Sequence, residues 1–275
     1  MPDIHPTAIV TGDVRLADDA VIGPYCVVQA TPAGPVTLGP GVVLHAHVSI
    51  AGPIEIGANT QVFPGACLGF PPQDYKFKMG DPTAGVAIGS DCIIREHVTV
   101  HAATKADKPT RIGNGVFMMV GCHAGHDATV GDRAVMVNAC LLAGHSELGE
   151  RVTFSGGAML HQFNRVGRLS MVSGLVAVAM DVPPFCLVGA RNTVRGLNLV
   201  GLRRNGFSSE TITAIRAAFR EVLRKNLPRK EMISELEARA DGYPEIAEIA
   251  EFIRTARRPI CHFQDTRGEG AAENE

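Results

Sequence analysis

The sequence predicts a mainly β protein: a parallel β-helix of hexapeptide repeats followed by an α-helical C-terminal domain. Three observations carry this. From Ile112 to Pro183 the chain keeps a six-residue period through twelve consecutive units without a break in register. The first place of each unit is always apolar, and the fifth is small or β-branched in all but one. After Pro183-Pro184 the period is lost and apolar residues fall at helical spacing. A period of six fits neither a helix nor an alternating strand; it fits short strands that turn a corner every six residues.

The repeat begins at Ile4, continues at Leu38, Leu44, Ile50, Ile56 and Val62, and restarts at Ile88 and Ile94. Three sides close one coil of eighteen residues, with the first and fifth places pointing inward onto their equivalents about 4.8 Å away. Gly, frequent at the second place, is expected to ease the chain through corners. Thr31 to Pro35 reads as a turn. Gly69 to Val86 and His101 to Arg111 carry Pro, Gly and charge out of phase with the repeat, so each is expected to be a loop leaving a corner. This solenoid is assigned to residues 1–192.

Residues 193–263 are expected to be helical. Ser208 is a candidate N-cap for a helix with Ile212, Ile215, Phe219, Val222 and Leu223 on one face. Pro228 opens a second, with Met232, Ile233 and Leu236. Pro244 to Arg254 gives a third, with Ile246, Ile249, Phe252 and Ile253. Residues 264–275 hold almost no apolar anchor and are expected to be disordered.

Net charge is −2, from 26 basic and 28 acidic residues, which argues against general nucleic-acid binding. The amino terminus does not read as a secretory signal, and Leu169 to Met180 is too short to span a bilayer, so no membrane insertion is expected. Among the seven cysteines, Cys26, Cys92, Cys122 and Cys140 fall on inward fifth places, and Cys122 and Cys140 should stack directly. They read as free, buried thiols in a reducing cytoplasm.

Chemistry concentrates on histidine. Stacking by eighteen and thirty-six residues brings His126 above Gly144 and Gln162, so His126, Gly144-His145 and His161-Gln162 should share one edge, near His101 and His123. His126 occupies an outward place, and Asp127 follows it. One reading is a general base with an orienting carboxylate. A second is a zinc site of three histidines, as in a γ-class carbonic anhydrase on the same kind of coil. A third is polar surface without a role, as in a non-catalytic scaffold.

The segments GCHAGHDATVG, LAGHSELG, MLHQFNRVG and AMDVPPF, with PPQDYKF before them and GLNLVGLRRNGFS after them, resemble the UDP-N-acetylglucosamine 3-O-acyltransferases. The resemblance runs from Ile4 to about Phe263. It implies a left-handed parallel β-helix, a homotrimer, and transfer of a 3-hydroxyacyl group from acyl carrier protein to the 3-hydroxyl of UDP-N-acetylglucosamine, the first step of lipid A biosynthesis, with no cofactor. It implies His126 as general base, Asp127 as its partner and the Gly144 N–H as oxyanion donor. Gln73, Asp74, Lys76 and His101 would lie at the sugar. His123, His145, His161 and Gln162 would line the groove, which Gly174 closes. Asn198, Arg203 and Arg204 would hold uridine and diphosphate from a neighbouring subunit. Two departures stand out: Val200 replaces a usual glutamate, and Asn205 a usual basic residue. An N-acyltransferase for a 3-amino sugar would carry nearly the same motifs. Arg165, Arg168, Arg216, Arg220, Arg224 and Lys225 are expected to form a basic patch for the acidic carrier.

Overall fold

The structure, a computed structural model, describes residues 1–264. Apart from Gln264, the expected tail lies outside the described residues. Short parallel strands follow one another around three faces and form a left-handed parallel β-helix. We number the faces in chain order. On the first, Phe117–Met118, Val135–Met136, Thr153–Phe154 and Met171–Val172 stack in register. On the second, His123–Ala124, Leu141–Leu142, Met159–Leu160 and Ala177–Val178 stack. On the third, Thr110–Ile112, Thr129–Val130, Glu147–Leu148 and Arg165–Val166 stack. The eighteen-residue coil is therefore observed directly.

First and fifth places fill the interior. Ile112, Val116, Met118, Cys122, Ala124, Ala128, Val130 and Ala134 are all at most 1% exposed. Cys122 and Cys140 stack with sulfurs 3.6 Å apart, and all seven cysteines are free. The second-place glycines serve a different purpose from the one expected. A Cβ on Gly131 would lie 2.6 Å from Glu150 N, and one on Gly167 2.4 Å from Pro184 N, so these glycines permit close approach of the next coil. The corner is turned at the fourth place instead. From Gly115 through Asp127, His145 and Phe163 to Leu175, the fourth place of every hexad has a left-handed φ, glycine or not.

The faces differ in chemistry. Outward residues of the first include Val21, Val43, Ile93, Phe117, Val135 and Met171. Those of the second include Ile9, Val27, Leu141 and Met159. The third presents Arg15, Thr37, Glu55, Arg111, Thr129, Glu147 and Arg165. The first two faces present more apolar outward residues than the third, although the second also carries Ser49, Thr99 and His123.

The turn at Thr31 closes through paired backbone bonds to Gly34. Both insertions, Pro71 to Gly85 and Ala102 to Pro109, leave a second-face strand and return on the third face. They share the edge between those faces, here called the second edge.

After the last coil, Cys186–Ala190 and Thr193–Leu197 form an antiparallel hairpin on the first face, joined later by His262–Phe263. Thr193–Leu197 is thus a strand where the sequence suggested helix. Helix α1 (Leu199–Arg204) was also not anticipated. Helix α2 (Ser209–Glu221) starts as expected, with Ser208 Oγ accepting from Thr211 N at 3.0 Å. A 3₁₀ turn at Leu223–Lys225 leads to α3 (Arg229–Glu237) and α4 (Pro244–Thr255). Ile212, Ile215, Phe219, Leu236, Ile246, Ile249 and Ile253 bury against one another.

Two arginines fasten α4 to the solenoid. Arg168 pairs with Glu248 at 2.7 Å and lies over the Phe185 ring; Arg165 pairs with Asp181 at 3.5 Å and lies over Phe252. Both were expected in the carrier patch and are engaged in packing.

Candidate active site

His126, Gly144 and Gln162 occupy equivalent third places on the second edge, one coil apart, as the spacing predicts. Asp127 turns the corner with φ 59°, which swings its carboxylate back toward the preceding imidazole. His126 Nδ1 lies 2.8 Å from Asp127 Oδ2. The side chains are only 14% and 13% exposed. A carboxylate can only accept, so Nδ1 carries the hydrogen and Nε2 of the neutral ring keeps its lone pair. Burial would raise the Asp127 carboxyl, but hydrogen bonds from His126 and Thr104 outweigh it and hold the group below its ordinary value.

Gly144 lies against that imidazole: a Cβ built on it would fall 2.4 Å from His126 Cε1 and 2.6 Å from Nε2. Its N–H donates to no acceptor among the described residues. A hydrogen-bond donor and a basic nitrogen therefore open onto the same space.

That space is a groove of about 580 Å³ lined by Gln73, His123, His126, Leu141, Gly144, Met159, His161, Gln162 and Ala177. It is polar near His126 and apolar beyond. His123 accepts or donates at Nδ1 with Thr99 Oγ1 at 2.7 Å, and His101 Nδ1 donates to Pro71 O at 2.7 Å. Burial, aided by the charges of His101 and His126, pushes His123 down to about 4, so it is neutral at pH 7. On the other side of the edge, a second cavity of about 700 Å³ takes in Lys105, Asp127, His145, Phe163 and Arg258. His145 stacks on Phe163 with centroids 4.6 Å apart, and its Nε2 is 3.6 Å from Asp127 Oδ2. Burial lowers its affinity for a proton, against the pull of Asp127.

His126, Asp127 and His145 lie close together. Asp127 is engaged by His126 and Thr104, the cluster offers two imidazoles and not three, and His161 stands apart in the neighbouring groove. The three-histidine set of a zinc hydratase does not converge here.

Asp74 accepts from Lys76 N at 2.9 Å in the first insertion, close enough for its charge to act on His145. Other expected residues sit on different edges of the same chain. Gly174 lies at the corner between the first and second faces. Asn198 caps α1 and donates from Nδ2 to Leu169 O, at the corner between the third and first faces. Arg203 and Arg204 end that helix and are exposed. Sequence reasoning missed Thr104, Thr110, Phe163 and Arg191, the last of which also lines the groove beside Ala177. Phe163 was legible in principle, one coil beyond His145.

A prism-shaped β-helix with a His–Asp pair and an unpaired backbone donor at one edge defines an acyltransferase of the hexapeptide-repeat class. The comparisons narrow it. Residues 181–261 match the family model described as Udp N-acetylglucosamine O-acyltransferase, domain 2. The chain is 41% identical over 95% of its length, and 100% of the relative's, to the acyl-[acyl-carrier-protein]–UDP-N-acetylglucosamine O-acyltransferase of Thermodesulfovibrio yellowstonii. The UDP-N-acetylglucosamine acyltransferase structure from Francisella novicida superposes with TM-score 0.89 at 34% identity, covering 96% of this chain and 95% of that one. The UDP-N-acetylglucosamine O-acyltransferase from Moraxella catarrhalis gives 0.88 at 37%, covering 94% and 99%. The chain belongs to the acyl-[acyl-carrier-protein]–UDP-N-acetylglucosamine O-acyltransferase family.

Proposed function

We propose that this protein moves a 3-hydroxyacyl group from the thioester of acyl carrier protein to the 3-hydroxyl of UDP-N-acetylglucosamine, opening lipid A biosynthesis, with His126 as the base. The observation that carries the assignment is the 2.8 Å contact between His126 Nδ1 and Asp127, which leaves Nε2 free beside the Gly144 N–H. His126 Nε2 takes the proton as the sugar oxygen attacks the thioester carbonyl. Asp127 stabilises the imidazolium. The Gly144 N–H receives the developing oxyanion, and the protonated ring returns its proton to the leaving sulfur. General base catalysis supplies roughly 10²–10⁴ in rate, and one oxyanion donor about 10²–10³. A thioester needs no metal for this.

The apolar part of the groove, Leu141, Met159 and Ala177, suits the acyl chain, and Gln73, Asp74, Lys76 and His101 suit the sugar. We infer a homotrimer from the two faces richer in apolar outward residues. They differ from each other, so one packs on the other of a neighbour and the contact closes as a ring. That arrangement supplies Gly174, Asn198, Arg203 and Arg204 from a neighbouring subunit, since one chain does not bring them to His126. Among the described residues no helix is long and apolar enough to cross a membrane. The free thiols suit a reducing compartment, and we place the reaction in the cytoplasm.

The test is incubation with UDP-N-acetylglucosamine, its 3-amino analogue and a panel of acyl carrier protein thioesters, with products read by mass spectrometry. Ester product on the first sugar, lost in His126→Ala, is expected. Amide product alone would reassign the acceptor, and full activity in His126→Ala would remove the base.

A further inference from the structure

The second insertion does more than edge the groove. Ala103 N and Thr110 N both donate to Gly85 O, at 3.0 and 3.1 Å, which ties its two ends to the foot of the first insertion. From this footing Thr104 reaches Asp127. Thr104 Oγ1 donates to Oδ2 at 2.8 Å, and its backbone N–H lies 3.2 Å from both carboxylate oxygens. Thr110, fully buried, accepts the Asp127 N–H at 2.7 Å through Oγ1. The carboxylate is thus held from the loop side while its backbone is held from below.

We propose that Thr104 is a positioning residue for acyl transfer, fixing the plane of the Asp127 carboxylate so that His126 presents Nε2 to the acceptor. This rests on the reading of His126 as base. The alternative partner for the carboxylate is close: His145 Nε2 stands 3.6 Å from the same oxygen. Without the Thr104 hydroxyl, Asp127 is free to rotate toward His145 and share itself between two imidazoles. The other titratable groups around the pair are His123, reached through His126, and Lys105 and Asp74, which act on His145.

The experiment compares Thr104→Val, which keeps shape and backbone N–H but removes the hydroxyl, with Thr104→Ser, which restores it. A hydrogen bond to a charged group is worth roughly ten- to a hundredfold. Thr104→Val is expected to lose that in kcat with KM for the sugar unchanged and, because the His126 imidazolium loses part of its carboxylate partner, to move the acid limb of the kcat/KM profile to lower pH. Thr104→Ser is expected to recover most of it. An unchanged kcat and profile in Thr104→Val overturns the proposal. So does a loss that comes only with a lowered melting temperature and no movement of the profile. Titration of the His126 imidazole by NMR gives a readout independent of turnover: a downward shift in Thr104→Val supports the role of Thr104 even if no acyl transfer is found, and an unmoved titration removes it.

Discussion

Replacing Gly144 by Ala tests the site with a single methyl group. Gly144 has no left-handed φ, so the backbone accepts alanine without strain. The added Cβ would lie 2.4 Å from His126 Cε1, 2.6 Å from Nε2 and 3.0 Å from Nδ1, where carbon contacts settle at about 3.5–4.0 Å. The ring has to move by roughly 1 Å or more. It is held by one hydrogen bond, 2.8 Å to Asp127, which the movement stretches or breaks. Misplacement by about 1 Å costs on the order of 10²-fold, and full loss of the base up to about 10⁴. We expect kcat to fall at least a hundredfold while the Gly144 N–H remains in place. The assay is steady-state acyl transfer with circular dichroism to confirm folding. Gly196→Ala is the control, since its Cβ would meet nothing within 4 Å. Turnover in Gly144→Ala above about a third of wild type would refute the close packing of glycine on imidazole.

Three further outcomes follow from the same geometry. Asp74→Ala and Lys76→Ala, both on the first insertion, are expected to raise KM for the nucleotide sugar severalfold with little change in melting temperature; an effect on folding alone would move them out of the site. His123 takes a proton near 6.5 when unfolded and at about 4 when folded, so the unfolded chain binds the extra proton as pH falls through that window. Stability is therefore complete above about 6.5 and lost toward 4, by about 3 kcal/mol at most and roughly half that after solvent screening, and His123→Gln should flatten a pH series of denaturant midpoints. Arg168→Ala removes the Glu248 ion pair and the contact over Phe185, and should cost about 1–2 kcal/mol, read as a drop of a few degrees in the thermal midpoint.

The solenoid was legible because its interior is narrow. Side chains such as Val116, Cys122 and Ala128 must be small wherever coils stack, and that requirement writes itself into every sixth place. The same register brought His126, Gly144 and Gln162 together before any coordinates. The fourth-place corner left no trace, since Asp127, Arg133, His145, Phe163 and Leu169 share a left-handed φ and nothing in side-chain chemistry. The second-place glycines were visible, but the pattern alone did not separate a bend from a close approach. Thr104 sits in an insertion and Thr110 is the first residue after it, where the period that reveals neighbours is interrupted. Arg165 and Arg168 looked like free charge because their partners, Asp181, Glu248 and two phenylalanine rings, come from later in the chain.

Both insertions leave and rejoin at a single edge, and each hands the chain back in phase with the coil below. Lengthening, shortening or swapping the first therefore leaves the distance from base to oxyanion donor untouched, whereas the second carries Thr104 against Asp127. New acceptors therefore become reachable through exchange of the first insertion alone, with the proton-transfer geometry conserved by the coils and the second.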